Sequence, residues 1–162
     1  MKLNIKNETG RLKSVVLGQP HSMGSVPSLE ESYDAKSYDT IQKGIYPKEE
    51  DIVHEMNEFE KILKKHDVKV FRPEIIEDYN QVFARDVAFV IEDKMIISNV
   101  IADRADEQEA YRKIFEEVKW RDIINLPDTA NIEGGDVIVW NDIIFIGTCF
   151  SIDYRNFQTD RT

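Results

Sequence analysis

Two carboxylates recur at equivalent places in this sequence of 162 residues. Asp86 follows Phe83-Ala84-Arg85 and opens an apolar stretch; Asp136 follows Glu133-Gly134-Gly135 and opens another. The segments Asp86-Val-Ala-Phe-Val-Ile-Glu-Asp-Lys-Met-Ile-Ile-Ser98 and Asp136-Val-Ile-Val-Trp-Asn-Asp-Ile-Ile-Phe-Ile-Gly147 align with one residue deleted at the turn, a repeat of 136 − 86 = 50 residues. If repeated units surround a common axis, acids at the same strand end converge. Such a cluster suits a planar cation that donates paired hydrogen bonds, as a guanidinium does. An Asp at a strand entry also serves as a turn former for nearby backbone donors. The adjacent Gly134 and Gly135 mark backbone that must bend or admit a close neighbour.

The elements that must position these acids can be read from pattern. Each repeat is an apolar run, a polar turn (Glu92-Asp93-Lys94 or Asn141-Asp142) and a second apolar run, the signature of a β-hairpin. The strands are apolar on both faces, so cover on both sides is expected. A helix is expected from about Lys48 to His66, with Ile52, Met56, Phe59 and Leu63 on one face, acids in its first turn and lysines in its last. A second is expected from Asp106 to Lys119, with Asp106 and Glu109 as a capping pair and Tyr111, Ile114, Phe115 and Val118 as the stripe. Short strands are expected over Ser14 to Gln19, Val68 to Arg72 and Ile123 to Leu126, and Pro20 to Tyr46 reads as a lid or mobile loop.

Composition narrows the function classes. Hydrophobic residues make up 41% and charged residues 32%, as in a folded globular domain, and the formal charge of -10 disfavours nucleic acid and anionic lipid as partners. No apolar run reaches the length of a membrane span. The single cysteine, Cys149, rules out an intramolecular disulfide and fits a reducing cytoplasm. No metal or organic cofactor is suggested. Cys149 reads as a packed thiol, His54 and His66 as polar or terminal helix residues, and His21 as a loop residue.

Three segments carry a resemblance in a fixed order: Asn80-Gln-Val-Phe83-Ala-Arg85-Asp86, Ile132-Glu133-Gly134-Gly135-Asp136 and Asp160-Arg161-Thr162. They resemble the Asn-x-x-Phe-x-Arg-Asp, Glu-Gly-Gly-Asp and Arg-Thr segments of the guanidino-group modifying enzymes: amidinotransferase, arginine deiminase and dimethylarginine dimethylaminohydrolase. The similarity covers nearly the whole chain, and Pro47 to Pro73 leans toward the amidinotransferase branch. It implies an α/β fold of pentein type, a propeller of repeated ββαβ units around a pseudo-fivefold axis. One domain over residues 1–162 is expected, an incomplete ring of about three units over residues 10–75, 80–128 and 129–162.

The resemblance further implies that Asp86 and Glu133 hold the substrate guanidinium, Glu133 also supporting acid/base work beside a histidine. Phe83 would lie against the substrate; Asn80, Arg104 and Arg161 would bind its carboxylate end; Asp136 would orient the Gly-Gly turn at the binding site. The reaction implied is attack of a cysteine thiolate on the guanidinium carbon, giving an amidino-cysteine intermediate that passes to an amine or to water. In the family the histidine and the nucleophilic cysteine lie downstream of the Arg-Thr segment, so this chain is expected to stop short of them. The leading expectation is the guanidinium-holding part of an amidinotransferase-like enzyme acting on arginine or a related compound. The competing expectations are a deiminase or dimethylaminohydrolase-type hydrolase and a non-catalytic guanidino-binding or assembly module. An incomplete ring leaves edges that favour homo-oligomers. An unrelated α/β domain is the remaining alternative.

Overall fold

The computed structural model, which describes residues 1–32, 35–100 and 104–147, gathers short strands into three separate sheets flanked by helices. Strand β1 (Ser14–Val16) leads through an exposed connection holding helix α1 (Ala35–Gln42) into helix α2 (Glu49–Lys65). Strand β2 (Lys69–Phe71) then returns parallel to β1, Ser14 opposite Lys69 and Val16 opposite Phe71. The helix α2 has the ends its sequence calls for: Glu49, Glu50 and Asp51 in the first turn, Lys64 and Lys65 in the last. Leu63 buries against Leu17 and Val68, with Met56 packed alongside. Phe59 is exposed, contrary to the expected stripe. Among the described residues the sheet beneath has two strands and covers a narrow strip of the helix, in which Glu60 is also engaged.

Glu60 grips Arg72. Its Oε2 accepts from Arg72 Nε at 2.9 Å and Nη2 at 2.7 Å, while the same guanidinium donates to the carbonyls of Gly18 and Met56. The bonds from Lys64 and Arg72 hold the Glu60 carboxyl below its usual range against the opposing effect of burial. This network fixes α2 on the β1–β2 pair. Arg72→Ala, which strips four bonds from a largely buried group, is expected to cost about 2 kcal/mol and about 6 °C in melting temperature by calorimetry.

The second unit opens with a one-turn helix α3 (Ala84–Val87), followed by the hairpin β3 (Ala88–Ile91) and β4 (Lys94–Ile97). Two short helices, α4 (Glu107–Ala110) and α5 (Arg112–Glu116), lead to β5 (Ile123–Asn125), which joins β4 in parallel. The continuous helix expected over 106–119 is broken at Tyr111, and Asp106 makes no capping bond with its side chain. Its stripe is buried nonetheless, Tyr111 and Ile114 packing on Val87 and Ala110. The third unit repeats the pattern: a 3-10 turn (Gly134–Asp136), then the hairpin β6 (Val137–Trp140) and β7 (Ile143–Ile146).

Asp86 and Asp136 therefore sit in short helical turns ahead of the strands, not at strand starts. Both hairpins turn over two residues, with Glu92 (φ 50°) and Asn141 (φ 52°) in the left-handed region. The deleted residue belongs upstream of the strand: the first strands begin at Ala88 and Val137, 137 − 88 = 49 residues apart. Phe89 and Ile96 of one hairpin bury against Val137 and Val139 of the other. Every residue of β7 is exposed, so cover on both faces fails for this strand. The connection Pro20 to Tyr46 contains the helix α1 that pattern did not reveal; no residue of the helix is buried, so it carries no core-facing apolar stripe to read. The architecture is mixed α/β, and no sheet closes on itself among the described residues.

The N-terminal segment ties the two hairpins together. Ile5 and Glu92 exchange backbone hydrogen bonds at 2.9 and 2.6 Å, and Asn141 N donates to the Lys6 carbonyl at 2.7 Å.

Candidate functional site

Arg85 brings the two acid-bearing turns together. Its Nε donates to the Gly134 carbonyl at 2.7 Å and its Nη2 to the Val137 carbonyl at 2.6 Å. The outer edge of the same guanidinium is held by Glu8, Nη1 to Oε2 at 3.0 Å and Nη2 to Oε1 at 2.8 Å. The pairing with Arg85 holds the Glu8 carboxyl below its usual range, burial opposing, and Val139 N adds a further donor at 3.2 Å. Gly134 lies so close to the backbone carbonyl of Arg85 that a Cβ has no room. Gly135 faces Asp86: a Cβ there would fall 2.9 Å from the Asp86 carboxylate. The adjacent glycines are thus the condition for docking the second unit's turn on the third unit's.

That docking places Asp86 and Glu133 around one guanidinium, which belongs to the chain itself. Arg104 Nη1 is 3.1 Å from Asp86 Oδ2 and 3.6 Å from Glu133 Oε2. Its other edge is taken by Glu107, Nε to Oε1 at 2.6 Å and Nη2 to Oε2 at 3.2 Å. The side chains of Asp86, Arg104 and Glu133 are 19, 20 and 30% exposed, and that of Glu107 is 0% exposed. Three carboxylates thus surround one cation in a half-buried place, where screening is weaker than at the surface.

Protonation follows from that imbalance. Burial pushes the Glu133 carboxyl up; Arg104 pulls it down, and Asp86, Asp136 and Glu107 add to the rise. Burial also raises Glu107, with the Arg104 fork restoring part of the charged form. For Arg104 burial opposes the charge, but its bonds to Glu107 and Asp86 outweigh it and the guanidinium stays protonated. Tyr111 is 1% exposed, and its hydroxyl has no hydrogen-bond partner among the described residues. Burial pushes that hydroxyl up, and Glu107 and Asp86 push it further, so it remains a neutral donor beside the acids.

The other residues singled out by sequence fall around this cluster unevenly. Asn80 Oδ1 accepts from Val82 N at 3.2 Å and shapes the turn ahead of Phe83, a residue 60% exposed. Asp136 Oδ2 accepts from Glu133 N at 3.4 Å, within the Gly-Gly turn. Arg161 and Cys149 lie outside the described residues. His21, His54 and His66 are exposed, and the described residues contain no group of three His, Cys, Asp or Glu arranged for a metal ion. The sequence patterns assign no role to Arg85 or Glu107 and place Tyr111 only in the apolar stripe of the expected helix. Arg104 stands three residues before Glu107, but it precedes the expected helix, and the burial that makes the pair matter belongs to the fold.

No protein-family model matches the chain. YkgA of Bacillus subtilis (strain 168) is 29% identical over 143 residues, which cover 88% of this chain and 48% of that protein. The amidinotransferase SxtG of Microseira wollei, from the saxitoxin biosynthetic pathway, superposes with a TM-score of 0.67 at 19% identity, over 97% of this chain and 58% of that one. Inosamine-phosphate amidinotransferase StrB1 of Streptomyces griseus gives 0.62 at 15% identity, over 85% and 53%. A dimethylarginine dimethylaminohydrolase gives 0.54 at 16% identity, over 91% and 56%. The chain spans about half the length of these relatives. It shares its fold with the amidinotransferases and dimethylarginine dimethylaminohydrolase, guanidino-modifying proteins of pentein type.

Proposed function

We propose that this chain is the guanidinium-holding part of an amidinotransferase-like enzyme acting on arginine or a related guanidino compound. The observation that carries the reading is the convergence of Asp86 and Glu133, from two successive repeats, on the Nη1 of a guanidinium. Two carboxylates at that spacing keep a guanidinium charged and fix its plane, which an attack on its central carbon requires. Phe83, exposed beside Asp86, offers a face for the substrate, and Asn80 and Arg161 are proposed to take its carboxylate end. The repeats are proposed to be successive ββαβ units of a pentein propeller within one domain. The nucleophilic thiolate and the proton-carrying histidine are proposed, as the motif resemblance implies, to come from residues outside this chain. Delivery of the amidino group to water instead of an amine would make the parent a hydrolase on the same site.

Isothermal titration of the chain with arginine, agmatine and guanidinium chloride tests this reading. The wild-type chain is expected to bind all three, and Asp86→Asn to weaken each by at least about tenfold, the loss of one charged hydrogen-bond acceptor. Equal binding by Asp86→Asn would sink the assignment.

A further inference from the structure

Arg104 occupies an unusual position for a residue that the resemblance assigns to a substrate carboxylate. Its guanidinium points into the acids, not away from them, and it meets them in two distinct ways. Along the Nε and Nη2 edge it makes a two-bond fork with Glu107, whose side chain has no exposure. At the remaining nitrogen, Nη1, it makes one bond of 3.1 Å to Asp86 and a looser approach of 3.6 Å to Glu133. The first contact is a fixed anchor, because a two-bond fork sets the planes of both groups and its carboxylate is sealed from water. The second is end-on, rests on a single hydrogen bond and is partly open to solvent, the kind of contact another cation can displace.

Charge balance points the same way. Asp86, Glu107 and Glu133 contribute three negative charges when ionised and Arg104 one positive, so the site keeps an excess of negative charge with Arg104 in place. A second guanidinium is attracted there, and Asp86 and Glu133 are the acids whose hold on Arg104 is weaker.

Resting on the proposed function of this site, we infer that Arg104 is an internal occupant of the guanidinium site. Glu107 anchors it, its Nη1 stands where a ligand's guanidinium nitrogen goes, and an entering guanidino ligand takes Asp86 and Glu133 from it. Arg104 is in this sense a positioning residue: it holds the two acids in register when the site is empty and sets the affinity that a ligand must exceed. A ligand bound by competition with an internal group has its apparent affinity reduced by the fraction of chains in which the group is in place.

The test compares wild type, Arg104→Ala and the double variant Arg104→Gln/Glu107→Gln by isothermal titration with guanidinium chloride, agmatine and arginine. The double variant removes the buried pair together, so Glu107 is not left as an isolated charge if the single variant fails to fold. Both variants, or whichever folds by circular dichroism, are expected to bind guanidinium and agmatine about tenfold tighter than wild type, the size of effect expected when a competing state is removed. Unchanged agmatine binding together with weaker arginine binding overturns the inference, since it shows Arg104 gripping the carboxylate. Unchanged or weaker binding of all three overturns it as well. On the wild-type chain itself, the Arg104 guanidinium signals in nitrogen-proton spectra are expected to shift as guanidinium chloride saturates the site; signals that stay in place at saturation overturn the inference without any substitution. Wild-type binding that is lost in Asp86→Asn, with Arg104 unmoved, would remove this inference alone. Absence of binding by every chain removes the proposed function with it.

Discussion

Glu133→Gln is expected to abolish measurable guanidinium binding while leaving the melting temperature of the chain at neutral pH unchanged or higher. The two effects have one cause. Burial and the neighbouring acids disfavour the ionised Glu133, so its carboxyl titrates above the 4.5 of an ordinary glutamate. A carboxylate whose folded pKa is raised costs stability once it is ionised, and an isosteric amide relieves that cost. The same charge is half of the acid pair for the cation, so its removal leaves the ligand with Asp86 alone. In the wild-type chain, binding should be full above the raised pKa and fade as the pH falls through it, a midpoint above 4.5 in titrations carried from neutral toward acid. A variant that binds guanidinium as the wild type does, or a wild-type midpoint below 4.5, would remove Glu133 from the site.

Gly134→Ala is expected to cost about 3 kcal/mol, near the upper end for overpacking, and to lower the melting temperature by about 10 °C. The added Cβ would collide with the Arg85 carbonyl, which is backbone and cannot swing aside. Relief requires the turn before β6 to move off α3, and that breaks the Arg85 bonds to the Gly134 and Val137 carbonyls together. The Phe89–Val137–Val139 cluster behind the turn would loosen in step. Differential scanning calorimetry measures the shift; a variant melting within 2 °C of wild type would mean that the two repeats are not docked through this turn, because a shift that small corresponds to about 1 kcal/mol or less.

How much of this was legible in the sequence depends on the kind of signal. The helix α2 was readable to within a residue at each end because its charges sort by dipole and its apolar residues by period. Phe59 was misread as core because period tells which residues share a face, not how wide a strip the opposing sheet covers. Asp86 stands out through repetition and motif, Glu133 through motif alone; repetition pairs Asp86 with Asp136, whereas Asp136 caps its own Gly-Gly turn and Glu133 is the acid that meets Arg104 beside Asp86. The break at Tyr111 was invisible, since a stripe of Tyr111, Ile114 and Val118 fits one helix or two equally well. Glu107 was passed over as one acid among many in a chain with 31 of them. Its importance arises from having no exposure, a property of the surrounding fold. Arg85 is masked for the opposite reason: it stands inside the Phe-Ala-Arg-Asp segment, whose resemblance implies a role for the acid beside it and none for the arginine. The uncovered β7 shows the limit of composition, because the same run of isoleucine and phenylalanine would read as a covered strand wherever it stood.

The segment around Ile5 to Glu8 belongs to neither hairpin, yet it bonds to Glu92, Arg85, Val139 and Asn141. The Glu8–Val139 contact closes a loop of 131 residues, at an entropic cost on the order of 4 kcal/mol. That cost grows only with the logarithm of length: doubling the loop adds about 0.6 kcal/mol. The seam between the repeats is therefore insensitive to how much chain lies within the loop it closes. Extra residues spliced into the exposed connection around α1 would lengthen that loop at small thermodynamic expense, which makes this connection a place where related chains can differ in size while keeping the acid pair in the same geometry.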